Sequence, residues 1–319
     1  MVVGRTRGCA LTRPLLKWAG GKRQLLPFLR RCYPSQFNRY LEPFFGSGAV
    51  FFDLHGSGRL EDRDAIMIDS NADLIGCYRM VRDSPERVAD ELERLARAHA
   101  RRGAEHYYLV RDAKFNPLRA SLRQADGDIV YAPELAAMFI YLNRTGFNGL
   151  FRLNARGDFN VPAGRYIRPA IPDREALMHV ANALRSPRVT LIRGSFEAAG
   201  DLARAGDFVY FDPPYAPLSV TANFTSYTAA RFTEDDQARL QHTVLELARR
   251  GCYVVVSNST APEITALYET NTAAERAGLR AIRVPARRAI NSNPSRRGVV
   301  EEFVITNGPV ADVLAEVSG

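Results

Sequence analysis

Short apolar runs, each stopped by a glycine or acidic turn, set the rhythm of the first third of the chain. Arg39-Tyr40-Leu41-Glu42-Pro43 reads as a short strand ending at Phe44-Phe45-Gly46-Ser47-Gly48, and a helix is expected from 49 to about 54. Residues 65–68 read as a second buried strand, closed by Asp69-Ser70-Asn71 and followed by a helix over 72–82. Strand, glycine turn, helix, strand and acid in that order open a nucleotide-type α/β fold. The next hundred residues change character. Residues 84–102 carry charges around an apolar stripe and predict an amphipathic helix, and 133–142 predict an apolar one. The stretch 143–169, rich in Gly, Asn and Arg with aromatics between them, reads as a hairpin or ordered loop. The α/β alternation resumes with a strand at 189–192, a helix near 196–204 and a strand at 207–211. A long polar loop then runs from 216 to 232. Thr233-Glu234-Asp235-Asp236 supplies an N-cap and an acidic first turn for a helix reaching about Gly251. Residues 252–256 form another buried strand, and 279–284 with 299–305 a closing pair. The expected division is therefore one α/β domain, residues 1–82 and 187–319, interrupted by an inserted segment, 83–186.

Composition adds little to the fold but narrows the partners. The chain has 319 residues, 46% hydrophobic and 24% charged, which is ordinary for a globular protein. No apolar run approaches the ~20 residues that span a bilayer. The basic N-terminus MVVGRTRGCALTRPLL lacks a continuous apolar core and a cleavage site, so an unprocessed, cytoplasmic protein is expected. Cys9, Cys32, Cys77 and Cys252 form no CxxC pair, and the five histidines are scattered; neither a metal site nor a disulfide framework is expected. The histidines are expected at surface or satisfied core positions. The net charge of +8 points to a polyanion such as nucleic acid, although arginine-rich coding would produce the same excess. Only three lysines occur, and two of them, Lys17 and Lys22, lie in Lys17-Trp18-Ala19-Gly20-Gly21-Lys22 with the sole tryptophan. A chain that writes nearly every cation as Arg needs the compact ammonium itself there.

Two turns carry candidate chemistry. FFGSGAVFF lets the backbone approach a ligand and start a helix, but Phe51 stands where a dinucleotide fingerprint has its third glycine. Asp69, at the end of the next strand, suits a carboxylate bonded to ribose hydroxyls or a cap for the helix after it. The second turn is Asp212-Pro213-Pro214-Tyr215. Two prolines hold the backbone extended and remove two N–H donors, so the Asp212 carboxylate and the Pro213 carbonyl are presented as acceptors. Two acceptors beside the flat face of Tyr215 suit an amino group on a flat ring, a nucleobase turned out of its stack. They would draw the nitrogen toward tetrahedral geometry and localise its lone pair. The carboxylate would stabilise the positive charge that develops when that nitrogen attacks a methyl group. The competing reading is a rigid turn with an incidental acid.

KWAGGK, EPFFGSG, DSN, NRTGFNGLFRLNARGDFNVPAGRY, DPPYAPLSVTANFTSY and RRAINSNPSRRG follow one another as in a Dam-type DNA adenine-N6 methyltransferase (D12 class, alpha group), which the chain resembles over roughly residues 14–305. The resemblance implies a Rossmann-like methyltransferase sheet with an inserted, mainly helical DNA-recognition domain. It implies transfer of a methyl group from S-adenosylmethionine to adenine N6 in duplex DNA by base flipping, at GATC, without a metal. It also implies a monomeric or weakly self-associating enzyme of the bacterial or phage nucleoid type. Trp18, Lys22, Glu42, the turn Phe44 to Gly48 with Gly46, Asp69 and Asp212 are implied cofactor contacts. Asp212, Pro213, Pro214 and Tyr215 are the implied catalytic set. Lys17 would face DNA, Phe147 and Asn148 would enter the base stack, and Leu150, Arg152 and Pro162 would read base edges. Arg287, Arg288, Arg296 and Arg297 would touch phosphates. Phe147 departs from the tyrosine usual at its position, which keeps stacking and loses a hydroxyl. Competing readings are a methyltransferase for cytosine N4, RNA or a protein amide, a non-catalytic DNA-binding relative, and a nicotinamide dehydrogenase.

Overall fold

The computed structural model describes residues 14–18, 20–218, 232–287 and 299–310. Seven strands form one sheet: β1 (Tyr40–Glu42), β2 (Ala65–Asp69), β3 (Val189–Arg193), β4 (Phe208–Phe211), β5 (Tyr253–Ser259), β6 (Arg280–Arg287) and β7 (Val299–Thr306). Their spatial order is β3-β2-β1-β4-β5-β7-β6. The first five are parallel, and β7 runs antiparallel to both β5 and β6. The order reverses between β1 and β4, which pair through Tyr40 with Phe208 and Leu41 with Val209. Chain connections leave these neighbours in opposite directions, so a crevice opens beyond their carboxyl ends. The glycine turn follows β1 and DPPY follows β4. The fold thus brings the two sequence motifs to the two lips of that crevice.

The central strands are apolar throughout because helices cover both faces. Along β4, alternate side chains enter different cores: Phe208 and Tyr210 on one face, Val209 and Phe211 on the other. The first core continues through Leu135, Ile140 and Phe159 of the middle segment, so that segment is packed on the sheet layer and not merely tethered to it.

Local capping explains where the helices begin. The Asn71 side chain accepts from the Asp73 and Leu74 N–H groups at 3.0 and 3.1 Å and caps the helix Ala72–Asp83. Thr233 and Asp236 form a reciprocal capping box for the helix Glu234–Arg249. The expected helix over 84–102 is longer: it runs Pro85–Val110, is broken at Gly103 (φ 51°), and continues through a π turn, Arg111–Phe115, into Asn116–Ser121. A further helix, Arg174–Leu184, capped by Asp173, packs on Ala72–Asp83 and Pro85–Val110. The helix near 196–204 shortens to Ala198–Leu202.

One buried ion pair joins the helix Ala72–Asp83 to the middle segment of the chain. Arg119 grips Asp73 through Nε and Nη2 at 2.7 and 2.8 Å, and Tyr131 donates to the same carboxylate at 2.8 Å. The third nitrogen of Arg119 reaches the Gly157 carbonyl at 2.7 Å. The histidine expectation fails at two positions. Both ring nitrogens of the buried His106, and Nδ1 of His55, have no hydrogen-bond partner among the described residues. Burial pushes both imidazoles below their usual range and keeps them neutral. Cys32, Cys77 and Cys252 are buried free thiols. Among the described residues no helix is long and apolar enough to cross a membrane.

Candidate active site

The first lip of the crevice is built at the end of β1. Gly46 (φ 49°) and Gly48 (φ 70°) take left-handed backbone conformations, and a Cβ on Gly48 would fall 2.5 Å from the Phe45 ring. A Cβ on Gly46 would fall 2.9 Å from Cδ1 of Trp18, so the indole lies directly over that glycine. Asp69 fastens the turn to β2. Its Oδ2 accepts from Gly46 N–H at 3.0 Å and its Oδ1 from Asn71 N–H at 2.9 Å. Asn71, not Asp69, caps the following helix, so the cap reading of this acid does not hold. Burial pushes the Asp69 carboxyl up, against the pull of the two N–H bonds. Glu42 Oε2 accepts from Tyr40 OH at 2.8 Å and from Phe51 N–H at 3.1 Å. It therefore satisfies a first-turn donor of the helix Ala49–Gly56, which Gly48 at the N-cap cannot do. Burial raises the Glu42 carboxyl well above the usual range. Phe44 stacks on Phe196 (5.4 Å between centroids) and meets Phe232 edge-on at 5.7 Å.

The second lip is DPPY. Lys22 is 5% exposed, and its ammonium sits 2.7 Å from Asp212 Oδ1, 2.7 Å from the Gly20 carbonyl and 4.3 Å from the Tyr215 ring centre. Ser257 of β5 donates to the same Oδ1 at 3.1 Å and is itself bonded to Tyr210 OH at 3.0 Å. Both partners therefore converge on Oδ1. Oδ2 and the Pro213 carbonyl have no hydrogen-bond partner among the described residues, whereas the Pro214 carbonyl is taken by Gln237. Tyr215 is held by its hydroxyl, which donates to Glu302 of β7 at 3.0 Å. Asn258 fixes the exit of the motif by accepting from Ala216 N–H at 3.2 Å.

Charge follows from this geometry. Burial lowers the Lys22 pKa, but the Asp212 carboxylate beside it outweighs burial and holds that pKa above normal. Burial pushes the Asp212 carboxyl up, while Lys22 and Ser257 pull it back down. The 2.7 Å contact keeps both partners ionised at neutral pH. The acid limb of activity should therefore lie above the ordinary carboxylate range. Lys22→Met removes a cation that lowers the Asp212 pKa, so the limb should move to higher pH. A kcat profile over pH 4–8 checks this; an unmoved midpoint would detach Lys22 from the titration.

Comparison with known proteins decides what the arrangement belongs to. Residues 18–282 match the family described as D12 class N6 adenine-specific DNA methyltransferase. The chain belongs to this family. A type II methyltransferase, M1.LlaDCHI, of Lactococcus lactis subsp. cremoris is 39% identical over 92% of this chain and 95% of the relative. M.MjaIII, a type II methyltransferase of Methanocaldococcus jannaschii, is 38% identical over 92% and 99%. The DNA adenine methylase of Escherichia coli is 37% identical over 93% and 96%.

In this D12 methyltransferase Phe147, Asn148, Leu150, Arg152 and Pro162 gather on one hairpin, with Lys17 and Trp18 in the segment beneath it. Lys17 lies with Nζ 4.2 Å from the ring centre of Tyr166. Trp18 is stacked on Phe151 at 6.1 Å. Phe147 is 47% exposed and Asn148 takes a left-handed conformation (φ 53°), so the turn presents both outward. Arg152 is exposed, and its Nε donates to Asn160 Oδ1 at 2.8 Å; Leu150 is half-buried and Pro162 exposed. Arg287 ends β6, but its side chain, with Arg288, Arg296 and Arg297, lies outside the described residues. The returning limb of the hairpin is held from behind by side chains of the 107–119 helical stretch. Tyr107 and Arg111 both donate to the Val161 carbonyl at 2.9 Å. Asn116 brackets Phe159, accepting from its N–H and donating to its carbonyl, and Arg119 takes Gly157. Every second residue of the limb is thus pinned by its main chain.

Ser257, Glu302, Asn143 and Tyr166 belong to the site and were not singled out by sequence reasoning. Ser257-Asn258-Ser259 offered a signal, three polar residues closing an apolar strand. Glu302 and Tyr166 offered none.

Proposed function

We propose that the protein methylates N6 of adenine in duplex DNA, at GATC, after turning the base out of the helix, with S-adenosylmethionine as donor. The observation that carries this reading is the pair of unengaged acceptors, Asp212 Oδ2 and the Pro213 carbonyl, beside a tethered aromatic ring. A flipped adenine would stack on Tyr215, which Glu302 and Lys22 hold from two sides. Its amino hydrogens would meet the two acceptors. Lys22 and Ser257, by occupying Oδ1, aim Oδ2 at the substrate. The carboxylate then stabilises the positive charge on N6 and is the first acceptor in reach of the proton that N6 sheds.

The donor would lie in the crevice. The Trp18 indole packs directly over Gly46, where a Cβ would strike it, and the adjoining polar groups, Asp69, Glu42 and Lys22, suit hydroxyls, an amine and a carboxylate. S-adenosylmethionine supplies an electrophilic methyl group when bound. Residues 83–186 serve as the DNA-recognition segment and the rest as the catalytic domain, acting inside the cell and as a monomer, which suits modification of one strand at a time. Phe147 and Asn148 would fill the space left by the base. Leu150, Arg152 and Pro162 would read the site, with Arg152 on guanine.

Arg152→Ala should relax discrimination at a single base pair by about 1–3 kcal/mol, read as kcat/KM on duplexes substituted one position at a time. A uniform loss on every sequence would make it a phosphate contact instead. The function itself is tested with purified protein, S-adenosylmethionine and two duplexes, one with a single GATC and one with that site scrambled, by nucleoside mass spectrometry. N6-methyladenine in the first alone supports chemistry and site together; N6-methyladenine in both keeps the chemistry and discards the site. No methylated adenine in either overturns the reading.

A further inference from the structure

One buried polar side chain spends all its hydrogen bonds between two segments far apart in the chain. Asn143, 3% exposed near the end of the helix Pro133–Thr145, accepts from the Lys17 N–H at 2.8 Å through Oδ1. Its Nδ2 donates to the Lys17 carbonyl at 2.7 Å and to the Gly149 carbonyl at 2.9 Å. A primary amide is suited to this task, with one acceptor and two donors on a short stem. Gly149 confirms how close the two segments are. It takes φ 67°, and a Cβ on it would lie 2.4 Å from the Lys17 Cβ. The turn Phe147–Gly149 is therefore pressed onto the aliphatic stem of the Lys17 side chain. Lys17 in turn opens the stretch that carries Trp18 on the glycine turn and Lys22 on Asp212.

We propose that Asn143 is a positioning residue for base flipping. It locks the turn that enters the DNA stack to the segment that holds the catalytic carboxylate. Filling of the gap by Phe147 and Asn148 and seating of the base against Asp212 then happen in register. This rests on the reading of Phe147 and Asn148 given above. Extruding a base costs its pairing and stacking, and side chains entering the gap offset that cost only when gap and pocket are aligned. Asn143 touches neither the base nor the donor; its effect passes through the position of the turn.

The test uses the full chain as wild type, Asn143→Ala and Gly149→Ala, on two duplexes that differ only opposite the target adenine: thymine in one, an abasic site in the other. An abasic partner removes most of the extrusion cost. Both variants should lose about 10- to 100-fold in kcat on the paired duplex, the scale of one to three ordinary hydrogen bonds. On the abasic-partner duplex they should recover most of that loss. With 2-aminopurine at the target position of the paired duplex, the fluorescence rise on binding should be lost in the variants and present in wild type. Equal losses on both duplexes, or no loss on either, overturn the inference. If Asn143→Ala does not fold, Gly149→Ala separates the same segments by pushing its Cβ against the Lys17 stem, without opening a buried gap. A wild type that makes no N6-methyladenine on either duplex overturns the functional reading and this inference with it. An active wild type with unrescued variants overturns the inference alone.

Discussion

Asp212→Ala should reduce methyl transfer by about 10²–10³-fold or more while duplex binding changes little, because on the mechanism proposed above it removes the carboxylate that stabilises the charge developing on N6. The structure makes this more than a motif argument. Oδ1 is already engaged by Lys22 and Ser257, which leaves Oδ2 without a partner among the described residues, and the nearby acids are held elsewhere, Glu302 by the Tyr215 hydroxyl. Glu42 is held by Tyr40 and Phe51, and Asp69 by Gly46 and Asn71. Asp212→Asn is the sharper variant. It keeps the volume but turns a charge into a dipole, so turnover should still fall steeply while the fold survives. Single-turnover rates with bound duplex separate chemistry from association. Substantial residual turnover in either variant would remove Asp212 from the mechanism. The alanine variant should also lower the unfolding midpoint, since it leaves the buried Lys22 ammonium with a carbonyl and a ring as its remaining partners.

Arg119→Ala should cost about 3–5 kcal/mol of stability, the usual penalty for leaving one member of a buried ion pair without the other. Asp73 would keep only the Tyr131 hydroxyl, and the Gly157 carbonyl would lose its donor. Urea unfolding measures the loss. The double variant Asp73→Asn with Arg119→Met should lose less than Arg119→Ala alone, because no uncompensated charge remains. A loss below about 1 kcal/mol for the single variant would show that water takes over the guanidinium's role.

The parts of this architecture written in local sequence were the parts that could be read. β4 announces itself as four apolar residues, and DPPY names its own chemistry because two prolines delete donors whatever the surroundings. Scarcity exposed Lys22: in a chain that prefers Arg, a lysine beside the only tryptophan calls for a reason. Its partner, Asp212, is distant in sequence and could be joined to it only by the fold. The same holds for Ser257 and Glu302, which reach DPPY across the sheet from β5 and β7. Arg119 and Asp73 look like ordinary solvated charges on two helices, and nothing in either neighbourhood marks them as buried. The helix Arg174–Leu184 did carry a signal. Leu177, Val180, Ala181 and Leu184 are spaced for one buried face, but Pro162, Pro169 and Pro172 before them make the region read as continued loop. The length of the charged helix was hidden for the opposite reason, since Gly103 reads as a stop and is bridged instead.

The pinned limb of the hairpin has a consequence for how such a protein can change. Residues 157, 159 and 161 are held by their main-chain atoms, which every amino acid except proline supplies in full, and Phe159 and Val161 alone point into the core. The outward side chains of Arg152, Asn160 and Pro162 take no part in these main-chain bonds, and Arg152 and Asn160 bond to each other. They can be randomised in a library while the main-chain bonds of the limb are kept. On the reading proposed above, in which Arg152 and Pro162 meet base edges, the address would be separable from the ink: which sequence is marked could be revised without reopening the chemistry of the mark.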